Sequence, residues 1–234
     1  MSKVVAIHQP NFFPWLGYFD KIIRSDIFIF LDDVQFQKTG GTWTNRVKLL
    51  VGGEGKWVTA AIDRNYHGTR TIAQMKYVST DNWRVKALKT IQLNYQKHPF
   101  YRETIEVIEP LLIDGEEGVA TYNVNAILSI ARLLDIDVSK IRRSSELRCD
   151  GASNDLLCAL TSTVGGDTYM CGGGADGYQD EHVFSAAGIR LIRQDFVHPV
   201  YPQHRRNDFV PGLSVIDAAM NLGWVELGRI LRGG

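Results

Sequence analysis

The sequence predicts an α/β protein built on a mostly parallel sheet flanked by helices. Three observations carry that expectation. Val4, Val5, Ala6 and Ile7 form an apolar run that stops at His8. Ile27 to Leu31 form a second run that stops at Asp32 and Asp33. Between them, Leu16, Phe19, Ile22 and Ile23 repeat at helical spacing. Apolar runs without alternation suit strands buried on both faces, as in a parallel sheet. Residues 3 to 33 therefore read as a βαβ unit, with His8, Gln9, Asn11, Asp32 and Asp33 gathered where its strands end. In an open α/β sheet, ligands bind at that edge.

At 234 residues the chain suits one continuous domain, with a helical elaboration over about 80–135. It carries 26 basic and 26 acidic residues, so bulk charge gives no argument for nucleic acid or an anionic membrane surface. No apolar stretch spans a bilayer and no signal peptide is visible. The three cysteines, Cys149, Cys158 and Cys171, suit a reducing cytoplasm better than a disulfide framework. With no CxxC or HExxH spacing, no metal site is expected.

After the first unit, Gly40-Gly41 and Gly52-Gly53 bracket WTNRVKLL, a hairpin strand between turns. Folded over the second strand's end, it would bring Asn45, Arg46 and Lys48 into the cleft of Asp32 and Asp33; a solvent-exposed hairpin with ordinary charges is the alternative. WVTAAI (57–62) reads as a third buried strand and IAQMKYV (72–78) as another. Ser79, Thr80 and Asp81 offer N-caps for a helix from Trp83 to Tyr95. Further helices follow over 101–112 and 119–134. KIRRSSELRC (140–149) carries a short strand with a hydroxyl-rich end at Ser144 and Ser145, or only a turn. Residues 154–164 form a helix.

A second chemical centre lies in GGDTYMCGGGADGYQDEHVF (165–184). A strand over 168–171 runs into Gly172, Gly173 and Gly174, and a helix begins over 180–184. Strand, glycine-rich turn and helix let backbone N–H groups cradle an anion, though a tight turn accounts for the glycines as well. Cys171 ends the strand. A thiolate there would use those N–H groups to lower its pKa and to stabilise an oxyanion, and a buried inert cysteine is the alternative. IRLIRQDF (189–196) is the last strand. Its exit carries His198, a general base or a loop cap, and Tyr201. Ser214 caps the final helix, and Asp217 in its first turn suits the helix dipole.

Several segments together resemble the WbqC-like protein family: AIHQPNFFPWLGYFDKI (6–22), WTNRVKL (43–49), RSSEL (143–147), TYMCGGGADGYQDEHVF (168–184), QDFVHPVYPQ from 194 and FVPGLSVIDAAMN to 221. They occur in the family's order and span nearly the whole chain. The resemblance implies an acyl or aminoacyl (glycyl-type) transferase in surface-polysaccharide or natural-product biosynthesis. Its motifs map onto His8, Gln9, Pro10, Trp15, Gly17, Asn45, Arg46, Ser145, Gly172, Gly174, Tyr178, Glu181, Gln194, His198, Tyr201, Ser214 and Asp217. The family often has serine where this chain has Cys171. The opening unit also resembles that of HIGH-type nucleotidylyltransferases, but Trp15, Leu16, Gly17 and Tyr18 keep the motif's glycine and neither histidine.

Three functions follow as expectations. The first is acyl transfer from a small-molecule or carrier-protein-bound donor. His8, Cys171 and His198 are its catalytic candidates, and Gln9, Asn11, Asp33, Asn45, Arg46, Ser145, Gly172, Gly173, Gly174, Tyr178 and Tyr201 its substrate-binding candidates. The second is a nucleotide-binding enzyme with magnesium on Asp32 or Asp33. The third is a non-catalytic carrier-protein or substrate-binding module.

Overall fold

The computed structural model describes residues 2–38, 42–80, 82–173, 179–204 and 207–233. Gly174, Tyr178, the Gly40-Gly41 turn and the Asp81 cap lie outside them.

Five parallel strands form the main sheet: β1 (Val4–His8), β2 (Ile27–Phe30), β5 (Ile141–Arg143), β6 (Thr168–Cys171) and β7 (Arg190–Arg193). Their order is β5-β2-β1-β6-β7. The α/β expectation therefore holds. The chain builds outward from β1 to β2 and β5, then returns to the other side of β1 for β6 and β7. The direction of winding thus reverses between β1 and β6.

Because strand side chains alternate, the sheet feeds two cores. Ala6, Phe28, Phe30 and Met170 face one side. There they meet α1 (Leu16–Arg24), α4 (Val119–Leu133) and α8 (Val215–Leu231) through Leu16, Phe19, Ile127 and Ile216. Val5, Ile7, Ile29, Tyr169 and Cys171 face the other, against α6 (Ser153–Thr163) and α7 (Glu181–Ala186) through Leu160 and Phe184. Both faces are covered, which explains why the strand runs lack alternation. The expected middle helices form as α2 (Trp83–Tyr95), α3 (Tyr101–Ile113) and α4, with α3 packed on α2 and α8. The helix expected over 154–164 forms as α6. No helix among the described residues is long and apolar enough to cross a membrane.

Two expected strands are corrected. Residues 57–62 do not enter the main sheet. β4 (Glu54–Thr59) instead pairs antiparallel with β3 (Arg46–Val51), and Trp57 is 41% exposed. The cause is Gly52-Gly53. Both glycines adopt positive φ, +61° and +82°, and close a tight turn between Val51 and Glu54. Residues 72–78 form no strand either. Ile72–Gln74 is a 3₁₀ turn fixed by a reciprocal capping box between Thr71 and Gln74. The next helix starts from Asn82, with no side-chain cap bond.

At the other end of the chain, Ser214 caps α8 as expected, accepting a hydrogen bond from Ile216 N–H. The same helix breaks at Gly223, with φ +74°. A Cβ there would come 2.7 Å from the Glu103 carboxylate and 2.8 Å from the Phe100 ring, so a side chain fits neither the backbone nor the space.

Candidate functional site

The loop after β1, Gln9 to Trp15, is held by elements distant in sequence. Phe12 N–H donates to the Trp43 carbonyl at 2.9 Å. The Asn123 amide, on α4, donates to the carbonyls of Pro10 (2.9 Å) and Thr44 (2.7 Å), and accepts from the Tyr77 hydroxyl (2.8 Å). Ser214 Oγ donates to the Phe13 carbonyl at 2.7 Å, and Val215 N–H to that of Pro14 at 2.8 Å. These bonds hold Phe13 at a φ of +42°, an unusual value for a side-chain-bearing residue. The loop is thereby a rigid wall.

That wall borders a cavity of about 570 Å³ at the carboxyl ends of β1 and β6, where the strand order reverses. Ligands of open α/β sheets bind at such switch points. His8, Gln9 and Asn11 line it from β1 and its loop, Gly172 and Gly173 from the turn after β6. Five of the residues expected at a site thus meet. Lys21, Gln194, Trp15, Tyr18, Trp43 and Tyr169 add to its polar and aromatic lining.

His8 Nδ1 lies 3.0 Å from the Gln9 carbonyl, which also accepts from the Tyr18 hydroxyl at 3.0 Å. A carbonyl only accepts, so Nδ1 carries the proton and Nε2 the lone pair. Burial, assisted by the charge of Lys21, lowers the His8 pKa to about 4, outweighing the bond to Gln9. His8 is a neutral imidazole at neutral pH.

Lys21 lies one helical turn beyond Gly17 on α1 and is 3% exposed. Its Nζ donates to the Ile7 carbonyl at 3.0 Å. Burial lowers its pKa to about 8, with the nearby Cys171 acting in the opposite direction. Gln194, at the end of β7, donates through Nε2 to the Gly17 carbonyl and to Asp20 Oδ2, both at 2.7 Å. Its Oε1 stands 3.8 Å from where a Cβ on Gly172 would lie.

The other expected site residues lie elsewhere. Cys171 is 5% exposed and packs with Ile7, Tyr169 and Phe184 in the second core; the glycines that follow it border the cavity. Tyr169, on the same face of β6, does line the cavity, and Cys171 lies close enough to Lys21 to interact with its charge. His198 is half-buried among Phe196, Tyr201 and Phe209, with Nδ1 3.0 Å from the Pro199 carbonyl, and does not line the cavity. Burial lowers its pKa too.

The hairpin brings Trp43 to the cavity but not the polar side chains expected from it. Asn45 donates to the Ala60 carbonyl at 2.9 Å, and the Arg46 guanidinium lies 4.1 Å over the Trp57 ring, itself 4.7 Å from Trp43. Tyr201 donates to Asp217 Oδ2 at 2.7 Å, while Tyr95 donates to Oδ1 at 2.9 Å and Gln203 reaches Oδ2 at 3.3 Å. Asp217 is therefore a fully buried tie between α8, α2 and the loop after β7, and more than a complement to a helix dipole.

Asp32 and Asp33 turn towards α5 (Ser144–Leu147), not the cavity. Asp32 Oδ1 accepts from Ser145 N–H at 3.1 Å and its Oδ2 from Ser145 Oγ at 3.0 Å, with Arg143 at 3.7 Å. Asp33 accepts from Ser144 Oγ. These carboxylates cap a helix turn and do not fit a magnesium site in the cavity. The described residues hold no cluster of three or more histidine, cysteine, aspartate or glutamate side chains arranged for a metal ion.

Sequence reasoning missed Lys21 and Trp43. A lysine one turn beyond Gly17, inside an otherwise apolar helix face, was the available signal for the first.

Fold and site together define an open parallel α/β protein with a ligand-sized cavity at its winding switch. The chain belongs to the WbqC-like protein family, whose model matches residues 9–228. It is 26% identical over 224 residues to the uncharacterized protein Rv1507c of Mycobacterium tuberculosis, covering 94% of each chain. No solved structure matches. The strand order is common to many open α/β sheets and does not single out the nucleotidylyltransferases.

Proposed function

We propose that this protein is an acyl or aminoacyl transferase in a biosynthetic pathway, moving an activated carboxyl group directly to an amine or hydroxyl acceptor in the β1–β6 cavity. One observation supports this reading above the others: a neutral histidine with a fixed tautomer shares a preorganised cavity with backbone amides after β6. As the acceptor attacks the carbonyl carbon, a new N–C or O–C bond forms and the acceptor proton passes to His8 Nε2. The Gly172 and Gly173 backbone faces the carbonyl oxygen as it gains charge. The bond to the leaving group then breaks with its electron pair, and the imidazolium returns the proton to the leaving group. With a pKa near 4, the His8 imidazole is a weak base, and its imidazolium readily gives the proton on to the leaving group. Cys171 has no covalent part in the step.

The test is incubation of the purified protein with activated donors, an acyl adenylate and a carrier-protein thioester, plus an amine acceptor, with products read by mass spectrometry. Amide formation that falls at least a hundredfold in His8→Gln supports the reading. No product with either donor counts against it. The nucleotide reading keeps one favourable observation, the winding-switch position. A thermal shift with ATP or CTP and magnesium, absent with magnesium alone, would favour it.

A further inference from the structure

Lys21 is a buried cation with no carboxylate partner among the described residues. It is 3% exposed, and among the described residues its ammonium donates to a neutral carbonyl, that of Ile7. The carboxylate next to it in sequence, Asp20, is engaged by Gln194 at 2.7 Å and Arg24 at 3.7 Å. Among the described residues, no carboxylate lies within ion-pair distance of Lys21. A charge taken out of water and left unpaired is costly, and folds keep one where a ligand completes it.

The surrounding geometry indicates where that ligand would sit. A carbon placed on Gly172 would be 4.0 Å from Lys21 Nζ and 3.8 Å from Gln194 Oε1. One placed on Gly173 would meet nothing within 4 Å. Among the described residues, the space over this turn is therefore open, and it is bordered at Gly172 by an ammonium and a hydrogen-bond acceptor. Trp15 and Trp43 add apolar surface to the same cavity.

We propose that Lys21 is the anion anchor of this cavity, and that the protein selects a substrate carrying a carboxylate or phosphate group next to a hydrogen-bond donor. The anion pairs with Lys21 Nζ over Gly172, and the donor, an N–H or O–H, meets Gln194 Oε1. The same anchor serves a phosphate-activated donor or a free carboxylate on either substrate. This assignment rests on the cavity being the substrate site, and it deepens the transfer reading without depending on turnover.

Among the described residues, the titratable groups that interact with Lys21 are His8 and Cys171. An anion bound to the ammonium holds the proton on, so binding near pH 8.5 takes up protons through Lys21.

The test is calorimetry of inorganic pyrophosphate and of propionate binding to the wild-type protein, Lys21→Met and Lys21→Arg, at pH 8.5 in two buffers of different ionisation enthalpy. The expected result is binding of at least one anion with proton uptake, weakened tenfold or more in Lys21→Met. Lys21→Arg is expected to retain binding without the uptake, because arginine does not titrate there. Tighter pyrophosphate binding identifies the phosphate source, and tighter propionate binding the carboxylate. Equal affinity in Lys21→Met, undiminished uptake in Lys21→Arg, or no binding of either anion to the wild type at tens of millimolar overturns the proposal. Should Lys21→Met not fold, the arginine arm decides alone. Acyl transfer without anion binding would reject the anchor and leave the transfer reading in place.

Discussion

The Trp15 indole lies directly over Gly17: a Cβ on Gly17 would come within 2.4 Å of the ring, and 3.0 Å from Phe196. The glycine of the PWLGY turn is therefore where the cavity wall folds back on α1, and Trp15 also packs edge-on against Phe196, 5.4 Å between centroids. Since the clash falls on the far end of a side chain, Gly17→Ala should displace the indole and leave the backbone in place. The expected outcome is an unchanged far-ultraviolet spectrum, a red-shifted tryptophan emission and ligand affinity reduced at least tenfold. Unchanged emission and affinity would show that Trp15 does not shape the cavity.

Lys21 should cost stability in the unliganded protein. Its folded pKa, about 8, lies below the usual 10.5, so the unfolded chain binds more protons between those values. The penalty is fully present below pH 8 and fades as pH rises towards 10.5. At neutral pH the shift corresponds to roughly 3 kcal/mol, against about 1 kcal/mol for the bond to the Ile7 carbonyl. Lys21→Met is expected to raise the urea midpoint at pH 7 and to narrow its advantage at pH 10. A variant less stable than wild type at pH 7 would reverse that order of effects.

The Asp217 tie predicts the opposite sign. Asp217→Ala leaves the buried Tyr95 and Tyr201 hydroxyls without their acceptor and should destabilise the protein by about 3 kcal/mol. Equilibrium denaturation checks this. A loss below about 1 kcal/mol would mean that the hydroxyls find other partners.

Acid should weaken the fold before the carboxylates titrate. Burial holds both His8 and His98 at about pKa 4, against the usual 6.5; for His98 the neighbouring His204, 4.9 Å between ring centroids, contributes as well. Between pH 6.5 and 4 the unfolded chain accepts protons that the native imidazoles refuse. Stability therefore falls as pH drops through that window, by up to about 1.4 kcal/mol per unit for each histidine. The urea midpoint is expected to decline from pH 7 to 5, and His98→Gln to flatten the slope. A flat midpoint in the wild type would contradict this.

Much of the fold was legible because its signals are local. Uninterrupted apolar runs marked β1 and β2, helical spacing marked α1 and α4, and the Ser214 cap marked α8. The errors came where partners decide. WVTAAI looks buried by composition, but the Gly52-Gly53 turn commits residues 54–59 to a hairpin. In β6 every residue is buried, so no alternation shows that Cys171 packs in the second core. Lys21 reads as an ordinary helix charge until β6, from about 150 positions further along, closes over it. His8, Gln9, Asn11, Gly172 and Gly173 were found because polar residues ending apolar strands gather at one sheet edge whatever the longer-range packing.

The central claim is direct transfer in the His8 cavity. Its most direct test is a single-turnover reaction with a radiolabelled activated donor, acid-quenched and separated into protein and small-molecule fractions, for the wild type, His8→Gln and Cys171→Ser. The expected result is label passing to the acceptor in the wild type and in Cys171→Ser at similar rates, none retained on protein, and at least a hundredfold loss in His8→Gln. Label trapped on the wild-type protein and abolished by Cys171→Ser, with His8→Gln still active, would contradict it.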